Sequence, residues 1–168
     1  MALVVEDGSG LSTSESYVSV DAFKAYHKLR GNEVTLGGSE IEQKLRLATE
    51  YIDLRWGDAA QGCAIAEDQA LVYPTDYWIT DPVSLPQALE RATFEYAFYA
   101  IDNDLFLDNS GAGGPGIKRI LEKVGPIEEE TEYTGGGLQS VGRKYPVVSK
   151  ADGLMKQISN SIQGGVYR

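Results

Sequence analysis

SLPQALERATFEYAFYAI, residues 84–101, is the stretch on which the fold turns. Leu85, Ala88, Leu89, Ala92, Tyr96 and Tyr99 recur at helical spacing along one face, and Phe94, Ala97, Phe98 and Ile101 line a second. A helix apolar nearly all round has to be covered on two sides, so this is the expected central helix of a helical domain. Pro86 falls in the first turn, where a missing N–H costs little, and Ser84 with Gln87 has the spacing of a capping box.

Upstream, residues 57–83 keep no steady period. Gly57, Gly62, Pro74 and Pro82 alternate with Leu71, Val72, Tyr73, Tyr77, Trp78 and Ile79, which reads as a long ordered connection pinned by aromatic rings. Before it, Ser39 and Glu42 are spaced as a capping box. Ile41, Leu45, Ala48, Tyr51, Ile52 and Trp56 then give a helical stripe that Gly57 closes. A shorter helix is expected from Ser19 as N-cap, with Asp21 in the first turn, Val20, Phe23, Tyr26 and His27 sharing a face, and Gly31 at its end. Residues 1–18 read as a lead-in loop with a short strand at Leu3–Val5.

Downstream, residues 109–116 form a glycine-rich break. Residues 117–133 admit two readings: Ile117, Ile120, Leu121 and Val124 fit a helical stripe, but Gly125-Pro126 stops a helix and Ile127, Thr131 and Tyr133 look strand-like. A last helix starts at Ser149, with Asp152 spaced to complete a capping box and Ala151, Leu154, Met155, Ile158 and Ile162 as its stripe. Ser159–Arg168 reads as a tail outside the core, uncoupled by Gly164-Gly165. Its terminal Val166, Tyr167 and Arg168 are residue types that anchor well in a partner's pocket.

An apolar fraction of 42% in 168 residues supports one domain with a modest core, which argues against wholesale disorder. No apolar run approaches the ~20 residues of a membrane span, so no membrane association is expected. The opening Met1–Asp7 turns acidic at once, without a basic n-region, so no secretory signal is expected. Cys63 is the single cysteine, as suits a chain made in a reducing cytoplasm. The net charge of -10 and the absence of a Lys/Arg cluster along the sequence predict weak or no DNA binding near physiological salt. Acidity suits a subunit that stays soluble before assembly, and a surface past which DNA slides.

Motifs for catalysis do not emerge. Gly111–Gly116 formally matches G-x-G-x-x-G, but it lacks a preceding strand and Pro115 removes one N–H from the phosphate cradle. His27 and Cys63 are each single, without metal-ligand spacing. Glu128, Glu129, Glu130 and Glu132 do not follow the alternating calcium-loop pattern and are expected on a solvated, lumen-facing or interface edge. Ten Tyr, four Phe and two Trp offer base-stacking surfaces, yet most fall on apolar helix faces, where core packing is expected. No catalytic residue, cofactor or metal is expected.

Several segments in order carry a resemblance. They are MALVVEDGSGLSTSESY at residues 1–17, Ala48–Asp53 leading to Arg55-Trp56-Gly57, and Gln69–Pro74. Leu85–Leu89 leading to Ala92-Thr93 and Tyr96-Ala97, and Lys123–Ile127, complete the series. Together they resemble a bacteriophage family often labelled DnaT-like single-stranded-DNA-binding proteins and found among head–tail connector proteins. Tyr73 stands where the family has Trp, and the segment after Pro74 lacks the usual Arg and Gly.

The resemblance implies a mainly α fold: a bundle of about four helices with a β-hairpin insertion across residues 117–133 and an extended tail at 159–168. It implies a non-enzymatic virion protein of the neck, made in the host cytoplasm. Such a protein assembles as a ring of about twelve subunits, because one subunit of this size cannot enclose a DNA channel. Its implied partners are the portal protein, tail or neck proteins, and double-stranded DNA that passes without specific binding. The other function carried by the family label is a replication accessory protein that binds single-stranded DNA.

Overall fold

Apolar stripes at helical spacing produce four α-helices in the computed structural model, which describes residues 3–77, 84–106, 120–124, 127–131 and 145–159. They are α1 (Val20–Lys28), α2 (Gly38–Trp56), α3 (Gln87–Asp102) and α4 (Ser149–Ile158), and a 3-10 turn, Gly57–Ala59, prolongs α2. The chain is mainly helical, and α3 is its centre: it packs against α1, α2 and α4. Both expected faces of α3 contribute to the core, through Leu89, Ala92 and Tyr96 on one and Phe94 and Ala97 on the other. Facing them, Leu45, Tyr51 and Ile52 of α2 and Met155 of α4 are fully buried. No described helix is long and apolar enough to cross a membrane.

The helix ends show where sequence spacing misleads. Ser19 caps α1 as expected, its side chain accepting from the Ala22 N–H. The box expected at Ser39 and Glu42 does not form: the N-cap is Gly37, which has no side chain to accept with, and Glu40 supplies half of a box, its carboxylate accepting from the Gly37 N–H at 2.9 Å. For α3 the expected Ser84–Gln87 box does not form: Pro86 is the N-cap and no side chain caps it. Pro86 itself has an extended ψ of 127°, so the helix begins only at Gln87. In α4 the N-cap is Val148, and Asp152 turns away from the helix end toward Arg55. The strand expected at Leu3–Val5 amounts to an isolated bridge between Val5 and Ser16.

The lead-in is organised by a buried carboxylate. Glu6, 4% exposed, accepts from the N–H groups of Gly8 and Gly10 and, through its second oxygen, Leu11, at 3.0, 2.8 and 3.0 Å. Gly10 has φ +78, and a Cβ there would meet Ile65 at 3.0 Å, so the turn demands glycine. Residues 65–74 are held by one side chain, Gln69. Its Oε1 accepts from Ile65 N and Ala66 N, and its Nε2 donates to the carbonyls of Leu71, Val72 and Pro74.

Residues Phe106–Pro146 form a separate unit. Within it the segments β1 (Ile120–Val124) and β2 (Ile127–Thr131) are extended and pair antiparallel, Val124 opposite Ile127. The expected hairpin insertion across 117–133 is not otherwise shown, since its turn, its side chains and its remaining residues lie outside the described set. Of the expected tail, Ser159 does not belong outside the core: it is buried and bridges to Ala60. Residues 160–168 lie outside the described set.

One buried carboxylate gives stability a pH dependence. Asp53 accepts from the Tyr17 hydroxyl and from Val72 N at 3.3 Å. Burial raises it from the ordinary 3.8 to about 6, against the pull of those two hydrogen bonds. The folded chain therefore binds this proton more tightly than the unfolded chain. Between about pH 4 and pH 6 the folded state carries more protons, so stability falls as pH rises through that window and levels off above it. The contribution lost is on the order of 3 kcal/mol. Urea midpoints of the native chain and of Asp53→Asn, compared from pH 4 to pH 7, are expected to diverge across this window. A constant difference would mean that Asp53 titrates alike in both states.

Candidate nucleic-acid interface

Tyr26 lies in the last turn of α1, and Arg30, in the turn just past the helix end, folds back over it, its guanidinium on the Tyr26 ring. The pair meets Arg91 in the first turns of α3 and Ser149 and Lys150 at the start of α4. Together they border an open cleft of about 420 Å³. Arg30, Arg91 and Lys150 are all exposed residues. The turn after α1 and the helices α3 and α4 thus bring three cations to one place, and the start of α4, which no side chain caps, adds its positive end. The sequence holds no run of basic residues, and these three, far apart along the chain, meet only through packing.

The aromatic element of the cleft is tightly held. The Arg30 guanidinium lies 3.4 Å from the centroid of the Tyr26 ring, and its Nη1 donates to the Tyr26 carbonyl at 2.8 Å. The Phe94 ring lies 4.6 Å from Tyr26, tilted by 32°. The Tyr26 hydroxyl donates to Glu95 Oε1 at 2.7 Å, and Lys150 Nζ approaches the same oxygen at 2.5 Å. Burial and then the Glu95 carboxylate push the Tyr26 hydroxyl up to about 12, so it remains a donor at neutral pH.

Beneath this face sits His27. Its Nε2 is 3.1 Å from the Phe94 carbonyl and its ring stacks on Phe98 at 4.4 Å. Burial holds its pKa below the usual histidine value, which keeps the imidazole neutral at pH 7. Cys63 is exposed and joined to Asp76 through backbone and side-chain bonds, so its partners and those of His27 have no residue in common. Among the described residues no group of three or more His, Cys, Asp or Glu is placed to hold a metal ion.

The other sequence candidates fall where little or nothing is described. Val166, Tyr167, Arg168, Glu132 and the glycine-rich residues 111–116 lie outside the described set, and Glu128, Glu129 and Glu130 are placed as backbone only, in β2. Sequence reasoning assigned Tyr26 to a core stripe and passed over Arg30, Arg91 and Lys150. The available signal was the placement of Arg30 four residues after Tyr26.

The whole chain, residues 1–168, matches a protein family described as "Putative DnaT-like ssDNA binding protein". No curated protein and no solved structure matches it.

Proposed function

The chain belongs to the DnaT-like ssDNA-binding family, and on that premise we propose that it binds single-stranded DNA through the face where α1, α3 and α4 meet. The observation that carries this reading is the convergence of Arg30, Arg91 and Lys150 on one open cleft. Cations that neutralise phosphates release counterions, which is the main source of sequence-independent affinity. In this reading the chain is a binding protein and not an enzyme.

The acidic balance sets the strength. A body of net charge -10 repels a polyanion everywhere except at such a face. Binding is therefore weak, with a dissociation constant of roughly 1–100 µM at physiological salt. About three phosphate contacts give a slope near -2 in log affinity against log salt.

Fluorescence anisotropy with a labelled oligothymidylate, titrated at several salt concentrations, tests this. The double variant Arg91→Glu with Lys150→Gln is expected to lose about tenfold or more in affinity while melting as the native chain does. The acidic balance and the ordered motif series favour one second reading, a connector subunit that rings a DNA channel and meets the portal through Val166, Tyr167 and Arg168. Rings of about twelve subunits in electron micrographs, with no salt-sensitive oligonucleotide binding, would replace the first reading by the second.

A further inference from the structure

We infer that the cleft reads the phosphates of a single strand and not its bases. This rests on the reading of the face as a single-strand site and names what that site recognises. Sequence-tolerant single-strand binding usually combines a basic groove with open aromatic faces on which bases stack. Here the aromatic ring at the cleft is closed to stacking. A ring has two faces. The Arg30 guanidinium covers one of Tyr26 at 3.4 Å, and a ring as near as Phe94, 4.6 Å away and tilted by 32°, covers the other. The hydroxyl edge is engaged by Glu95. To free the Tyr26 ring, a base would have to break both the cation–π contact and the Arg30 bond to the Tyr26 carbonyl.

The cationic groups are placed differently. Arg91 and Lys150 are exposed, and Arg30 commits one nitrogen to Tyr26 and keeps its remaining donors. They suit tetrahedral anionic oxygens spaced along a backbone. Glu95 is the internal competitor: it holds Lys150 until a phosphate draws the ammonium away.

The test uses the full chain and three ten-nucleotide probes: an oligothymidylate, the same length of abasic phosphodiester, and an oligothymidine with an uncharged backbone. Abasic and normal oligomers are expected to bind within about twofold of each other, because stacking worth 1–3 kcal/mol per base is not in play. The uncharged oligomer is expected to bind at least about tenfold more weakly. Glu95→Gln, which keeps a bond to Tyr26 but frees Lys150, is expected to tighten both charged probes about two- to fivefold and leave the uncharged one unchanged. If the abasic probe loses fivefold or more, bases stack, for instance on the outer plane of Arg30, and the inference is overturned while single-strand binding stands. If neither charged probe binds, the function itself fails and the inference with it.

Discussion

Replacing Tyr96 by alanine is expected to cost about 3–5 kcal/mol of unfolding free energy and to lower the melting temperature by roughly 6–20 °C for a chain of this size. Tyr96 is 0% exposed at the middle of α3, the helix against which the other three pack. Its ring lies 4.9 Å from that of Tyr51 on α2. Its hydroxyl donates to Asp152 Oδ1 at 2.6 Å on α4 and accepts from Trp56 Nε1 at 3.0 Å. Truncation would open a cavity at a three-helix junction and strand two polar partners at once. Tyr96→Phe separates these effects: it keeps the ring and is expected to cost only about 1–3 kcal/mol. Thermal melting and urea titration of both variants check the pair. An unchanged melting point in Tyr96→Ala would show that the core is centred elsewhere.

The centrality of α3 was legible in the sequence because burial on two faces leaves an all-round apolar pattern. The Ser19 cap was legible because a capping serine acts on backbone three residues away. Failures of the same local logic are equally instructive. Ser39 and Glu42 have the spacing and the chemistry of a capping box, but the helix starts earlier, at a glycine N-cap whose N–H is held by Glu40 alone. Asp152 was read as a cap because it follows Ser149 by three residues. Its carboxylate instead serves Arg55, which comes from another helix. The basic cleft was invisible for the same physical reason: charge clusters show in a sequence only when neighbours along the chain are neighbours in space. Arg30, Arg91 and Lys150 become neighbours only once α1, α3 and α4 have packed.

The order of motif segments also acquires a physical content. Gln69 at the head of its segment satisfies five backbone groups of one loop, a role that a residue of other shape or chemistry does not fill. Gly57 after Trp56 lets Val72 approach, since a Cβ there would meet its Cγ2 at 3.2 Å. Arg55 and Trp56 both reach the Tyr96–Asp152 network. The segments at Gln69–Pro74 and Arg55-Trp56-Gly57 are thus parts of the scaffold, and that explains why they point to the fold more readily than to the site.

The Arg55–Asp152 pair is expected to show a large non-additive effect. Arg55 Nη2 and Asp152 Oδ2 are 2.8 Å apart, with side chains only 17% and 9% exposed. Arg55 donates also to the Tyr51 hydroxyl, and its guanidinium lies 4.9 Å from the Trp56 ring. Removing the carboxylate alone, in Asp152→Leu, breaks a close, half-buried ion pair from one side, at an expected cost of about 3–5 kcal/mol. Removing both charges, in Arg55→Met with Asp152→Leu, deletes that penalty along with the attraction. Replacing a buried pair by apolar groups of similar volume is commonly neutral or stabilising. The Tyr96 hydroxyl loses its acceptor in either variant, a common cost of about 1 kcal/mol that cancels in the comparison. The double variant is therefore expected to be more stable than Asp152→Leu by about 2 kcal/mol or more. Urea midpoints of the two singles and the double decide it. A double variant no more stable than Asp152→Leu would locate the cost in lost packing, and the one-sided loss of the Arg55–Asp152 pair would not be its source.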